Sequence, residues 1–172
     1  MIMKTVVNWL SMLAFAGSFT LYSCQEENNL AVISGTLTGH SDCKNKKSMR
    51  ITEDTPDTLS CVTFLYDPST RKMQLTHINA GFNCCPGKLW CEVSLNYDTI
   101  RIGEYEKEQG CDCNCLFDLE MEISGLEAQQ YQIKFIEPYA GEQEPLIFSL
   151  DLSVDKEGSH CVIRKVYPWG MN

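Results

Sequence analysis

Two sulfur-rich runs are the residues whose types and spacing could do chemistry: Cys84-Cys85-Pro86-Gly87 followed by Cys91, and Cys111-Asp112-Cys113-Asn114-Cys115. Cys43, Cys61 and Cys161 lie apart from them, and Cys24 stands near the start. In an extended strand residues i, i+2 and i+4 share a face, so the second run is expected to continue the apolar side of Phe117, Leu119 and Met121. Sulfurs on one pleat point the same way and sit near the upper distance limit for a bridge. Their partners must come from a neighbouring strand, and Cys84, Cys85 and Cys91 are the nearest supply. A Cys84–Cys85 bridge would need a distorted peptide.

Three chemistries fit this constellation. Cross-strand disulfides are the default for exported thiols. Buried free cysteines can fill a core face. A zinc site of four thiolates, or of three thiolates and an imidazole, is the third, because a Cys-Cys-Pro-Gly turn opposite Cys-x-Cys-x-Cys can converge its sulfurs. His77 is then either the fourth ligand or an ordinary strand histidine. The absence of any Cys-x-x-Cys argues against a zinc ribbon and against thioredoxin-like redox activity. Without Cys24 the cysteine count is odd, and no pairing follows from spacing alone.

Other catalytic groupings are weak. Asp118, Glu120 and Glu122 could be paired glycosidase carboxylates, but their strict alternation reads as a solvated sheet face. Glu104, Glu106 and Glu108 read as a hairpin end. His40 with Cys43 and His160 with Cys161 have no acid partner in sequence. There is no serine nucleophile elbow and no glycine-rich phosphate loop. These absences point away from an enzyme. Trp90, on the polar side of its strand, and Trp169 are either packed indoles or exposed stacking surfaces for sugar or protein.

The elements that must hold these residues have period two. Phe117, Leu119, Met121 and Ile123 alternate with Asp118, Glu120, Glu122 and Ser124. Leu89, Cys91, Val93, Leu95 and Tyr97 repeat the pattern, as do Tyr131, Ile133 and Phe135, and Leu146, Phe148, Leu150 and Leu152. Further strands are expected over 31–38, 59–66, 72–78, 99–106 and 160–166, with 39–56 a loop or ragged strand. Turn signals such as Asp67-Pro68-Ser69 and Glu157-Gly158 separate them. This spacing predicts an all-β, antiparallel sandwich as a single domain over 31–172. The crossing Ile123-Ser124-Gly125-Leu126 to Tyr131 resembles the E-to-F crossing of immunoglobulin-like sandwiches. That resemblance implies that Tyr131 is a structural corner tyrosine and that Leu126 plugs the core.

The beginning of the chain reads as an address. Residues 1–23 carry Lys4, no acid and a mostly apolar stretch, the pattern of a cleaved secretory signal. Leu21-Tyr22-Ser23-Cys24 resembles a bacterial lipobox. The resemblance implies acylation of Cys24 and anchoring through more than one acyl chain, with 24–30 as a polar tether. Gln25-Glu26-Glu27 resembles an export tag to the outer face of the outer membrane; a periplasm-facing anchor is the alternative. With 14 Lys+Arg against 23 Asp+Glu, the net charge of −9 repels phosphate backbones and excludes nucleic acid as the expected partner.

Phe82-Asn83-Cys84-Cys85, Cys111-x-Cys-x-Cys115, Asp118-Leu119, the 125–131 crossing and Tyr167-Pro168-Trp169-Gly170 together resemble small cysteine-rich lipoproteins of Bacteroides and relatives, over roughly residues 58–170. The resemblance implies an exported β-sandwich and brings no activity with it. The expected function is a non-enzymatic binding or structural module at the outer membrane, without a cofactor, meeting glycan or protein. The alternative is a zinc-binding or thiol-sensing lipoprotein built on Cys84, Cys85, Cys111, Cys113 and Cys115.

Overall fold

The computed structural model describes residues 32–44, 55–108 and 111–166. The signal segment, Cys24 and its tether, and the Tyr167-Pro168-Trp169-Gly170 tail lie outside the described residues.

Alternating sequences make two-faced strands, and two such faces cover one another. β1 (Ser34–His40), β6 (Asn114–Ser124), β3 (Lys72–Asn83), β2 (Leu59–Asp67) and β9 (Glu157–Ile163) form one sheet in that spatial order. β4 (Pro86–Asn96), β5 (Thr99–Glu108), β7 (Gln130–Ile136) and β8 (Ile147–Asp151) form the second. The described residues are thus all-β, in two packed sheets. The inward rows include Val62 and Phe64, Met73 and Leu75, Leu119 and Met121, Ile100 and Ile102, and Ile133 and Phe135, all buried. Full burial of such a side chain stabilises the fold by about 1.5–3 kcal/mol.

One ladder departs from the antiparallel expectation. β5 and β7 run parallel, with Thr99 beside Gln132 and Gly103 beside Ile136. Parallel neighbours need a crossover. Here β6 supplies it by passing through the opposite sheet between them. The expected Leu89–Tyr97 face is also shorter than its pattern. Asn96 pairs with Thr99, so Tyr97 lies in the tight turn at φ +55 and is 93% exposed.

Two local devices position the interior. β3 bulges between His77 and Ala80, with Asn79 at φ +65. His77 and Phe82 differ by an odd number of positions, so without the extra residue only one of them could face inward. Asn79 tolerates the left-handed turn. It fixes the turn by donating from Nδ2 to the carbonyls of Pro56 (3.0 Å) and Leu59 (2.8 Å). At the β6–β7 crossing, Gly125 sits at φ +86, where a Cβ would lie 2.8 Å from the Val32 carbonyl oxygen. Leu126 is fully buried, and the Tyr131 hydroxyl accepts from the Glu127 N–H at 3.1 Å, four residues upstream.

Candidate functional site

Eight of the cysteines within the described residues are paired: Cys43–Cys115, Cys61–Cys161, Cys84–Cys113 and Cys85–Cys111, with Cα atoms between 4.0 and 5.8 Å apart. Cys84 and Cys85 form the turn between β3 and β4, and Cys111 and Cys113 precede β6. Only Cys115 therefore continues the apolar face of Phe117, which corrects the expectation of three sulfurs on one pleat. The physical reason is that pairing with β3 begins at Asn114 opposite Asn83, leaving the two earlier cysteines in irregular chain. Asn83 organises that chain: its Nδ2 donates to the Cys111 carbonyl (2.7 Å) and its Oδ1 accepts from the Cys85 N–H (2.9 Å).

The partner of Cys115 is Cys43 rather than Cys91. Residues beyond β1 continue beside β6, with the Lys44 N–H donating to the Leu116 carbonyl at 2.8 Å, and this brings Cys43 within reach. Among the described residues Cys91 is the free thiol, and it is buried. Bridged sulfurs are not thiolates, so the zinc constellation over Cys84, Cys85, Cys111, Cys113 and Cys115 is replaced by three disulfides. Among the described residues, no group of His, Cys, Asp and Glu is arranged to hold a metal ion. Burial, with the Glu104 charge beside it, pushes the Cys91 thiol up to about 11. At pH 8 it is then overwhelmingly protonated and a poor nucleophile. Iodoacetamide at that pH is expected to leave the native protein unmodified and to add one carbamidomethyl group, at Cys91, once urea unfolds it. Rapid native alkylation of Cys91 would contradict the burial.

The chemistry that the sequence reading missed lies between the sheets. Ser60 precedes the inward row Val62, Phe64 and Tyr66. His77 follows Met73 and Leu75, Glu104 follows Ile100 and Ile102, and Arg164 follows Val162. Each is the polar end of an apolar alternation, and all four are buried. The His77 Nδ1–H donates to Glu104 Oε1 at 2.6 Å, and Ser60 Oγ lies 2.8 Å from His77 Nε2. Arg164 Nη2 donates to Ser60 Oγ at 3.3 Å and to both Glu137 oxygens at 2.6 Å, while its Nη1 donates to the Glu144 carbonyl at 2.8 Å. The reading of His77 as a satisfied strand histidine thus has a physical basis, and Glu104 is no hairpin surface. The signal was the period itself, which carries straight through these residues.

Serine, imidazole and carboxylate in this order have the geometry of a nucleophilic triad. A nucleophile must also reach its substrate, and Ser60 and His77 have no exposed surface. The Arg164 guanidinium lies against Ser60 Oγ. What the cluster can do as folded is hold a proton. Burial alone would lower the His77 pKa, but the Glu104 charge and hydrogen bond, together with Glu137, outweigh it and raise it. Burial raises Glu104 against the opposing pull of His77. Both shifts favour a proton held between the two side chains, along the His77 Nδ1–Glu104 Oε1 hydrogen bond. Glu104 Oε2 is buried without a hydrogen-bond partner, which suits a carboxyl that shares a proton better than a bare anion.

The remaining sequence candidates are separated from this cluster. Asp118 accepts from Lys44 Nζ, and Glu122 pairs with Lys72 at 2.8 Å, as on a solvated sheet face. His40 packs edge-on to Phe117, and His160 stacks on Phe148. Trp90 lies half-buried on the outer face of β4, its ring stacked on Tyr105 with centroids 5.5 Å apart. Compared with family models, with curated proteins and with solved structures, the chain matches none.

Proposed function

We propose that this chain is an exported lipoprotein: a signal over 1–23, an acylated Cys24, a tether to residue 30, and an immunoglobulin-like sandwich that serves as a non-enzymatic binding or structural module. The observation that carries the reading is the set of four disulfides in a chain whose start resembles a lipobox. Such bridges persist outside the reducing cytosol. The immunoglobulin-like assignment draws support from the Tyr131 hydroxyl bonded back to Glu127, from Leu126 plugging the core, and from β6 and β7 lying in opposite sheets. The sealed position of Ser60 favours a structural role for the Ser60–His77–Glu104 array. A fluorophosphonate adduct on Ser60 in the native protein would overturn that.

Anchoring is tested by feeding cells an alkyne-bearing palmitate analogue. The mature protein is expected to carry the label and to sediment with outer membranes, and Cys24→Ala to lose both. An unlabelled wild type sinks the lipoprotein reading. We place the domain on the cell surface, so added protease should digest it in intact cells; protection until the outer membrane is ruptured would place it facing the periplasm.

A further inference from the structure

The outer face of the second sheet has an unusual charge arrangement. On β4 and β5, Lys88 lies directly opposite Lys107, and the next outward pair along the ladder is Trp90 opposite Tyr105. Further along, Arg101 on β5 lies beside Lys134 on β7. Two like-charged neighbour pairs therefore flank one aromatic stack. Like charges directly opposite on a sheet are destabilising, and here the arrangement occurs twice on one face of a chain whose net charge is −9. On the other sheet the cations are matched: Lys44 pairs with Asp118 and Lys72 with Glu122. Among the described residues, none of the four cations on the second face forms an ion pair. Glu92 is the one acid in the rows between them.

The aromatic stack is prepared by its neighbour. A Cβ at Gly103 would lie 2.6 Å from the Tyr105 hydroxyl oxygen and 2.9 Å from its Cζ. The glycine lets the ring fold down along the strand instead of standing away from it. Tyr105 is 38% exposed, and Trp90 lies parallel to it within 19°. The outermost cation pairs are three outward positions apart, a span of about 20 Å at 3.3 Å per residue.

Resting on the reading of this domain as an exported binding module, we infer that this face binds an anionic polysaccharide. Trp90 and Tyr105 stack against sugar rings, and Lys88, Lys107, Arg101 and Lys134 meet carboxylate or sulfate groups on either side. Charge complementarity selects this occupant over a neutral glycan. Sugar rings present the flat, partly apolar faces that the aromatics match, which a plain acidic peptide lacks.

The test uses the full chain in detergent, run through native gels containing polygalacturonate, dextran sulfate, uncharged dextran or poly-L-glutamate. Polygalacturonate or dextran sulfate is expected to retard it, and the two gels distinguish carboxylate from sulfate recognition. Dextran and polyglutamate are expected to leave it unretarded. Trp90→Ala should weaken polysaccharide binding about tenfold or more, as loss of a central aromatic anchor does. Arg101→Glu with Lys134→Glu, which leaves the stack untouched, should abolish it. Circular dichroism of both variants separates lost binding from lost folding. Retardation by polyglutamate alone, no retardation by any polyanion, or retardation indifferent to Trp90→Ala in a folded variant would overturn the inference. A palmitate-labelled protein that binds no polysaccharide refutes this site and leaves the lipoprotein reading standing. An unlabelled protein that binds does the reverse.

Discussion

Glu104→Ala is expected to cost about 3–5 kcal/mol of folding stability, the usual penalty for stranding one member of a buried charge pair. The residue sits against His77 with both side chains sealed from solvent. Its loss strands the buried imidazole's Nδ1 without a partner and leaves only the more distant Glu137 carboxylate, 3.8 Å from Nε2. Replacing both residues by leucine removes the pair as a unit and leaves Arg164 with Glu137 as a neutral pair at 2.6 Å, so the double variant should fall far less and can exceed the wild type. Urea unfolding of the three proteins measures the difference. A Glu104→Ala midpoint equal to that of the wild type would show that the pair is not coupled as described.

The same pair sets a pH dependence with a definite sign. Both groups hold protons more tightly in the native state than in the unfolded chain, because burial raises Glu104 and the neighbouring carboxylates raise His77. Above 6.5 the unfolded histidine loses its proton, while the raised His77 value keeps it in the native state. The native protein then binds more protons, and its stability must fall as pH rises. The His77 contribution is whole below 6.5 and disappears as pH passes its raised native value, and the raised Glu104 acts in the same direction from 4.5 upward. For one shared proton the slope is at most about 1.4 kcal/mol per pH unit. The double-leucine variant subtracts every other titrating group. Its stability should fall less steeply than the wild type's above pH 6.5, and an identical slope would contradict the shared proton.

That cluster also marks where sequence reasoning stops. Strand existence was legible because Phe117, Leu119, Met121 and Ile123 face a core whatever lies opposite. The crossing near Tyr131 was read through its resemblance to immunoglobulin-like sandwiches, and what the structure has there is a Glu127 N–H donating to the Tyr131 hydroxyl beside a buried Leu126. Glu104 was not legible. A carboxylate in an alternating row is read as the point where the apolar face ends, and only its partner on the other sheet makes the opposite true. The pairing of β5 with β7 was hidden for a related reason, since direction depends on where β6 crosses and no residue of either strand encodes it. The cysteines failed the same way. Cys91 lay close in sequence to the sulfur cluster but points toward Glu104, while Cys43 reaches Cys115 from 72 residues away because residues 41–44 follow the edge of β6.

Removing the Cys61–Cys161 bridge should be the costliest change to the covalent frame. These residues are direct partners across β2 and β9 and are separated by 100 residues. With the other bridges closed, the shortest covalent route between them runs through Cys43–Cys115 and spans about 60 residues, for which the loop-closure cost is about 4 kcal/mol. Cys61→Ala with Cys161→Ala is therefore expected to lower stability by about 4 kcal/mol, through greater freedom of the unfolded chain and release of the β9 edge. The Cys85–Cys111 bridge is nested directly inside Cys84–Cys113, with separations of 26 and 29. Deleting either of these alone reopens almost no loop and should cost much less. Deleting both frees the whole segment and should cost about 3.5 kcal/mol. The energies are then strongly non-additive at one end of the molecule, while the Cys61–Cys161 cost stands by itself. Guanidinium unfolding of the four oxidised variants separates these cases. If the 61–161 and 85–111 deletions proved equally damaging, local packing around the sulfurs would account for their stabilisation better than the topology of the closed loops does.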